Sequence, residues 1–588
     1  MAACNCSTAL IIFFWGRFTI MFLLLNPKAY TPKRPDQKTN EIVTKTIAFF
    51  ENKGLASIKN DDENIYYYDD FIQFLKDNKI LSTMLTPFGY GQPDSRFDLS
   101  RVCQFSEILG FYGASYMHLY HVSILGLSSI WMGENEALKH KASKLLQEGA
   151  FFGFGLSEKN HGADLYVNEM RLIPLADGTY EADGSKYYIG NADIVALISV
   201  QGRFSDNDEH VLFAVNTEHH NYKLVKKIHT SGIRNGYIGE FELVNYPITK
   251  EDIISSGQRA WDSCFSSINI GKFQPAFCSI GLCTHSLYEA MNHAANRILY
   301  GKPVTQFAHI KKKFTESYVR LNAMKLYALR SLDYFRSISK EDRRYLLFNP
   351  IQKTKVSIEG VRVMELILDI VAARGFEKET FMELAIREIG MLPRLEGTVH
   401  VNNLLVIKFL KNYFFNHREY PFIPKRDDSC DDASIFQQFM GDFSKVQFPD
   451  YRLAYEGIGL PNVTIFKSQV ELFREMIFDA LPNPIQKASR EYLFSLCEMF
   501  TLIVYAQLIL ESCKNYEVGE DLIDQIFNFL IRDFSHYALS QMVDTANTDV
   551  QEEYLRKMIK MPCNDRAREV RLWREHVETL NGAYAMNA

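Results

Sequence analysis

The order of periodicities along the chain constrains its fold more than any single residue does. From 26 to 150 the apolar spacing is helical, as in NEIVTKTIAFFENKG, DDFIQFLKDNKIL and ENEALKHKASKLLQEG, with Gly54 and Gly149 placed to end helices. From 151 to 260 it changes to short β-prone runs: EMRLIPL, TYEA, SKYYIG, IVALISVQG, HVLFAV, YKLVKKI and GEFELVNY. Asp177-Gly178 and Asp183-Gly184 read as tight turns between them. From 261 to 420 long helical patterns return, of a length that suits a bundle. The stretch YPFIPKRDDSCDDAS (Tyr420 to Ser434) reads as a surface linker, and the remainder to 588 is helical again.

The expected fold is therefore α+β and multidomain. An N-terminal helical domain (26–150) precedes a β-barrel or sandwich-like middle domain (151–260), a helix bundle (261–420), a linker (421–434) and an additional C-terminal helical domain (435–588). This is not a doubly wound nucleotide-binding layout. No G-x-x-x-x-G-K-[ST] occurs, and GFGLSE opens like G-x-G but lacks the third glycine. A cofactor must be held in another way.

A formal net charge of −6 offers no basic footprint for nucleic acid. The 10 cysteines form no C-x-x-C pair, which argues against a disulfide framework or a zinc ribbon and for a reducing compartment. No metal is implied. Residues 1–25 hold the apolar run ALIIFFWGRFTIMFLLL (Ala9 to Leu25), interrupted by Arg17 and shorter than the roughly 20 residues of a bilayer span. No basic residue precedes it, so it is a poor secretory signal. Two readings remain: a leader packed on the protein, or an over-extended start with Met21 as the initiator. The expected location is cytoplasmic, bacterial-type, or an organelle matrix.

Within PRLEGTVHVNNLLVIKFL (393–410), a bare glutamate, Glu396, stands beside Gly397 and Thr398 at the mouth of an apolar helix. A helix start accounts for that much, with Pro393 in the first turn and a carboxylate near the positive end of the dipole. Three segments in order add more. FGLSEKNHGAD (154–164) resembles aromatic-x-[VL]-[ST]-E-x-x-x-G-[SA]-D, and ANRILYGKPVTQF (295–307) resembles R-x-x-[FY]-G-x-P-[IV]. From ARGFEKE to AIREIGMLPRLEGT, Gly375, Arg387 and the Glu-Gly-Thr triplet keep one register. Together they resemble the acyl-CoA dehydrogenase family over roughly residues 40 to 415. The tail is similar to the extra helical domain of its long-chain members and of acyl-CoA oxidases.

The resemblance implies FAD-dependent α,β-dehydrogenation of a medium- to long-chain fatty acyl-CoA to the trans-2-enoyl-CoA, as in β-oxidation. Glu396 would be the base for the α-proton, and the β-hydrogen would leave as hydride to flavin N5. The base residue's backbone N–H and a ribityl hydroxyl would stabilise the thioester oxygen. Ser157 would bond the isoalloxazine, Tyr188 shield one ring face, and the Gly190 amide meet N5 or O4. Arg297 would reach the pyrophosphate of a neighbouring subunit's FAD, and Thr398 would meet the phosphates. The same motifs bring Phe154, Leu156, Gly162, Tyr300 and His400 into the cofactor set. They bring Ala163, Asn269, Lys272, Leu395 and Gly397 into the substrate set. The implied partners are acyl-CoA, an electron-transfer flavoprotein or similar acceptor, and a second copy in a homodimer. The tail admits peripheral membrane contact.

Several positions depart from the family pattern. Gly190 stands where threonine is frequent, and Ala308 replaces a glutamine. DIVAARG (369–375) replaces Q-x-x-G-G-x-G, which leaves Asp369 unexplained. Asn269 and Lys272 replace the Asp and Arg that meet CoA. His161 occupies a loop position where oxidases carry histidine, although loop packing explains it as well. An oxygen-using acyl-CoA oxidase and an inactive relative that binds acyl-CoA or a protein partner stay open as alternatives.

Overall fold

A computed structural model describes residues 23–588 apart from 33 and 35; the leader or alternative start at residues 1–22 lies outside the described residues. The first helix stops at Gly54 as expected: the span Gln37–Asn64 is two helices that meet at a sharp kink there, where Gly54 is non-helical at φ 74°, ψ 161°. The bend frees the Leu55 amide, which donates to the Asn587 carbonyl at 2.8 Å. The far C-terminus thus closes the kink, and the Ala588 carbonyl occupies the place a Cβ would need. After the short helices Asp69–Asp77 and Ile80–Leu85 come Leu99–Tyr112 and Ala114–Met132, the last of them buried along its whole length. Helix Glu136–Gln147 ends ahead of Gly149 at φ 87°, as its position in the sequence suggests.

The β segment forms eight strands: β1 (Phe151–Gly155), β2 (Arg171–Pro174), β3 (Tyr180–Gly190), β4 (Val195–Phe204), β5 (His210–Asn216), β6 (Tyr222–Lys227), β7 (Ile238–Ile248) and β8 (Ile253–Ser256). They lie in the order β6-β7-β3-β2-β4-β5-β8, with β1 parallel to β4. The sheet does not close, because β6 and β8 are its two ends. A barrel in this segment is therefore corrected to an open sheet. Asp183-Gly184 is also not a turn: TYEA and SKYYIG run as one strand, β3, and the pair sits at a register shift against β7. A bulge absorbs the residues that sequence reads as a break. Asp177-Gly178 does turn, between β2 and β3, with Gly178 at φ 83°.

The long helices Phe273–Asn296, Ala308–Phe335 and Tyr345–Val371 form the bundle. The tail helix Arg490–Asn515 is long and apolar enough to cross a membrane, but it is mostly buried between Ala308–Phe335 and the tail helix Glu520–Asp544. Arg320 fastens this tail to the bundle, bonding Glu359 at 2.8 Å and Asp533 at 2.9 Å, all three out of water.

The aspartate-rich stretch before the tail lies mostly at the surface, but it is tied to the body rather than free. Asp432 is buried, pairs with Arg336 at 2.8 Å and accepts from the Leu99 amide at 2.7 Å. Asp431 accepts from the Phe97 amide at 2.8 Å. Composition suggested solvent, but ion pairing and helix-end amides hold this strap against the body.

Candidate functional site

The loop bearing Glu396 is built by two left-handed residues in succession, Glu396 at φ 52° and Gly397 at φ 82°. Glycine takes such a φ freely; glutamate does so at a cost of order 1–3 kcal/mol and needs its surroundings to hold it. Helix Val399–Val406 begins only after Thr398, whose hydroxyl accepts from the Val401 amide at 3.4 Å. Glu396 therefore precedes the helix and is not part of its first turn. Lys353, on the bundle helix, donates to the Pro393 carbonyl at 2.7 Å and to the Gly397 carbonyl. Asn402 donates to the Gly397 and Thr398 carbonyls at 3.2 and 3.0 Å. These bonds fix the loop from both ends.

The Glu396 carboxylate meets three cationic or potentially cationic groups from other parts of the chain. His121 Nε2 lies 3.1 Å from Glu396 Oε1, with both side chains largely buried. Burial pulls the Lys272 ammonium down to about 8 and the Lys353 ammonium down to about 7, and in each case the Glu396 charge pulls back. Gly271 makes the room: a Cβ there would stand 2.6 Å from Leu125 Cδ2 and 3.3 Å from Glu396 Oε2.

Gly190 closes the sheet side of the same region. A Cβ on it would come within 2.5 Å of Val122 and 3.0 Å of the His118 ring, so glycine is obligatory. His118 Nδ1 is buried without a partner, and burial pushes its imidazole down to about 3. Gly190, Glu396, Gly397 and Lys272 thus come together through His118, His121 and Lys353. Those three residues escaped the sequence reading. The available signal was His118-x-x-His121 inside a helix that is otherwise almost wholly apolar, since titratable groups in such a run need a reason to be there.

The other expected site residues are distributed as follows. Phe154 is buried in β1, and Leu156 is half-buried at its end. Ser157 spends its hydroxyl on the Tyr187 carbonyl at 2.6 Å. Gly162 and Ala163 lie in the loop after β1, with open space at Gly162. Tyr188, at φ 62°, is 62% exposed. Thr398 and His400 are exposed at the start of their helix, where the tail's Phe494 ring lies 5.1 Å from the His400 ring. Arg297 and Tyr300 stand on an exposed hairpin, and Tyr300 is 95% exposed.

Asn269 and Lys272 do not present their polar ends at the surface. Lys272 Nζ donates to Asn269 Oδ1 at 3.0 Å, and Asn269 donates in turn to Gln438 of the segment leading to the tail, at 3.2 Å. Both residues are buried, and their charge and amide are spent inside. His161 is held by Asp164 at 3.0 Å and Glu169 at 3.5 Å, and the Asp164 bond raises its pKa. Asp369 is paired with Lys313 on the neighbouring helix, which accounts for its presence.

Helices, sheet and helix bundle in this order are the fold that the chain shares with solved acyl-CoA dehydrogenases. Residues 260–411 match the family model "Acyl-CoA dehydrogenase, C-terminal domain". The short-chain specific acyl-CoA dehydrogenase of Megasphaera elsdenii is 23% identical over 359 residues, 60% of this chain and 92% of that protein. The mitochondrial very long-chain specific acyl-CoA dehydrogenase of Mus musculus is 23% identical over 411 residues, 67% of this chain and 60% of that one. In fold, the crystal structure of an acyl-CoA dehydrogenase complexed with FAD from Bacillus anthracis matches with TM-score 0.73 at 16% identity, over 95% of this chain and 97% of that one. Over its helix–sheet–helix part the chain is thus similar to acyl-CoA dehydrogenases in sequence and in fold.

Proposed function

We propose that this protein is an FAD-dependent acyl-CoA dehydrogenase in which Glu396 takes the α-proton of a medium- to long-chain fatty acyl thioester. The observation that carries this reading is the Glu396 carboxylate itself, fixed on a left-handed loop and enclosed by His121, Lys272 and Lys353. A base that must work on a weak carbon acid needs such fixed, dry surroundings.

The residues present fit a flat aromatic cofactor. Gly190 leaves no side chain in the way, Gly162 is open, and the Tyr188 ring is exposed to stack on a planar face. Tyr188, the Gly190 amide and Thr398 would hold FAD, with Arg297 supplied by a second copy. Bound FAD would supply an acceptor for the hydride leaving the β-carbon. The chain's own part is to hold the thioester against Glu396 and to keep water from the carboxylate. Lys353 anchors the loop so that the carboxylate does not move as its charge disappears on protonation.

The natural acceptor for the reduced protein is an electron-transfer flavoprotein or a similar protein, and the functional unit is a homodimer. The exposed hairpin with Ile298 and Tyr300 supports the latter, since apolar side chains so exposed suit a partner surface. An anaerobic acyl-CoA chain-length series tests the activity: bleaching of the flavin band reports binding, chemistry and preference together, and no bleaching with any length removes the reading. Peroxide formed under air without added acceptor would mark an oxidase instead. Arg297→Ala should lose FAD on dilution, whereas tight FAD binding by a monomer would remove the shared site.

A further inference from the structure

The helix Ala114–Met132 carries two histidines one turn apart, both buried. His118 faces Gly190, and burial holds it neutral over the physiological range. His121 faces Glu396, with Nε2 at 3.1 Å from Oε1. The charged and titratable groups around the pair come from four elements. They are His118 on the same helix, Lys272 at the break between helices Gly257–Gly271 and Phe273–Asn296, Lys353 on the bundle helix, and Glu396 on its loop.

Room for this pair is built into the end of the neighbouring helix, Gly257–Gly271. A Cβ on Gly271 would lie 3.2 Å from His121 Cε1 as well as 3.3 Å from Glu396 Oε2. A larger residue there would push on the imidazole and on the carboxylate at once. The two oxygens of Glu396 are also unlike. Oε1 is engaged by the imidazole, while Oε2 faces the gap that Gly271 leaves.

From this we infer that His121 is the positioning residue for the base: its Nε2–H holds Oε1, so that Oε2 is presented as the oxygen that receives the substrate's proton. The inference rests on Glu396 being that base. The proton balance is simple. The α-C–H bond breaks, its proton passes to Oε2, and the carboxyl becomes neutral while His121 keeps its own proton and its bond to Oε1. A donor to the ionised carboxylate favours its charged over its neutral form, and loss of the donor removes that preference. The two lysines bind the loop or Asn269, so His121 is the only hydrogen-bond donor to the carboxylate among the described residues.

The test uses the FAD-loaded full-length protein with an acyl-CoA that bleaches it, and reads two quantities. One is the pH profile of flavin reduction. The other is deuterium wash-in at the α-carbon in D2O, which reports proton removal without net oxidation. His121→Phe should move the acid limb of both profiles to higher pH by on the order of one unit and slow wash-in about tenfold or more. His121→Gln, which keeps an N–H donor, should leave the limb near that of the parent. If His121→Phe does not fold, His121→Ala with and without added imidazole replaces it, and imidazole should restore the parent profile. Profiles of His121→Phe or His121→Ala that superimpose on the parent overturn the inference, as does an equal shift in His121→Gln. Wash-in that survives in Glu396→Gln instead overturns the assignment of the base. Loss in Glu396→Gln with no effect of His121 leaves the base standing and removes only its positioning residue.

Discussion

The Lys353 ammonium is bonded to the carbonyl oxygen of Gly397, one residue beyond Glu396, and to that of Pro393 three residues before it. A buried cation thus spans the loop of the proposed base. The arrangement is costly, because charge in a dry interior is disfavoured. It also works without the charge, because a neutral amine still has two hydrogens to donate.

That cost has a pH signature. Burial draws Lys353 from 10.5 to about 7, so its folded value lies below its unfolded one. Between these pH values the unfolded chain binds the extra proton. This residue's contribution therefore makes the fold more stable as pH rises from about 7 toward 10.5. Relative to Lys353→Met, the parent should gain on the order of 1 kcal/mol per pH unit across that window. Denaturant unfolding of both proteins at pH 7 and pH 9.5 measures this, and a difference that does not change with pH would count against it.

Glu396→Gln should keep the fold and the bound FAD but lose flavin reduction by substrate, at least the roughly 10²–10⁴-fold that a general base contributes. The amide is nearly isosteric, so the left-handed loop and its bonds to Lys353 remain. Stopped-flow bleaching at a rate near the parent's would place the base elsewhere.

Asp432→Ala should destabilise the protein by about 3–5 kcal/mol, because it strands a fully buried guanidinium. Asp98, at 3.3 Å from Arg336, keeps the loss toward the lower end. The parent should resist limited proteolysis between 426 and 434, and the variant should be cut there. Rapid cleavage of the native parent in that strap would contradict its role as a tie.

Ala372→Gly should stabilise. Ala372 sits at φ 58°, ψ −139°, a region that glycine tolerates and alanine does not, and its side chain is exposed, so no packing is lost. Relief of strain should outweigh the added chain entropy by about 1 kcal/mol. A lower melting temperature than the parent's would show that the backbone is not strained there.

Much of this protein is legible in its sequence because local periodicity reports local structure. The change from helical spacing to short β runs at 151 coincides with the start of β1, the return to helix comes at Gly257 rather than 261, and Gly149 ends a helix where it should. The Glu-Gly-Thr triplet by itself reads as a helix start, and Glu396 stands out only through the resemblance carried by three segments in order. Other features depend on contacts that no local pattern encodes. Gly54 interrupts its helix as the sequence suggests, but a second helix follows at once because Asn587 returns to accept from the freed Leu55 amide. Asp183-Gly184 becomes a bulge because β7 supplies partners on both sides of it. Asp432 is buried because Arg336, Asp98 and the Leu99 amide wait for it, although its neighbours in sequence are those of a solvated loop. His121, Lys272 and Lys353 lie far from Glu396 in sequence; His121 and Lys353 alone read as ordinary polar residues, and Lys272 reads only as a CoA contact. Only the packing of four separate elements around one carboxylate brings them into reach, because burial and charge–charge distance are properties of the folded chain.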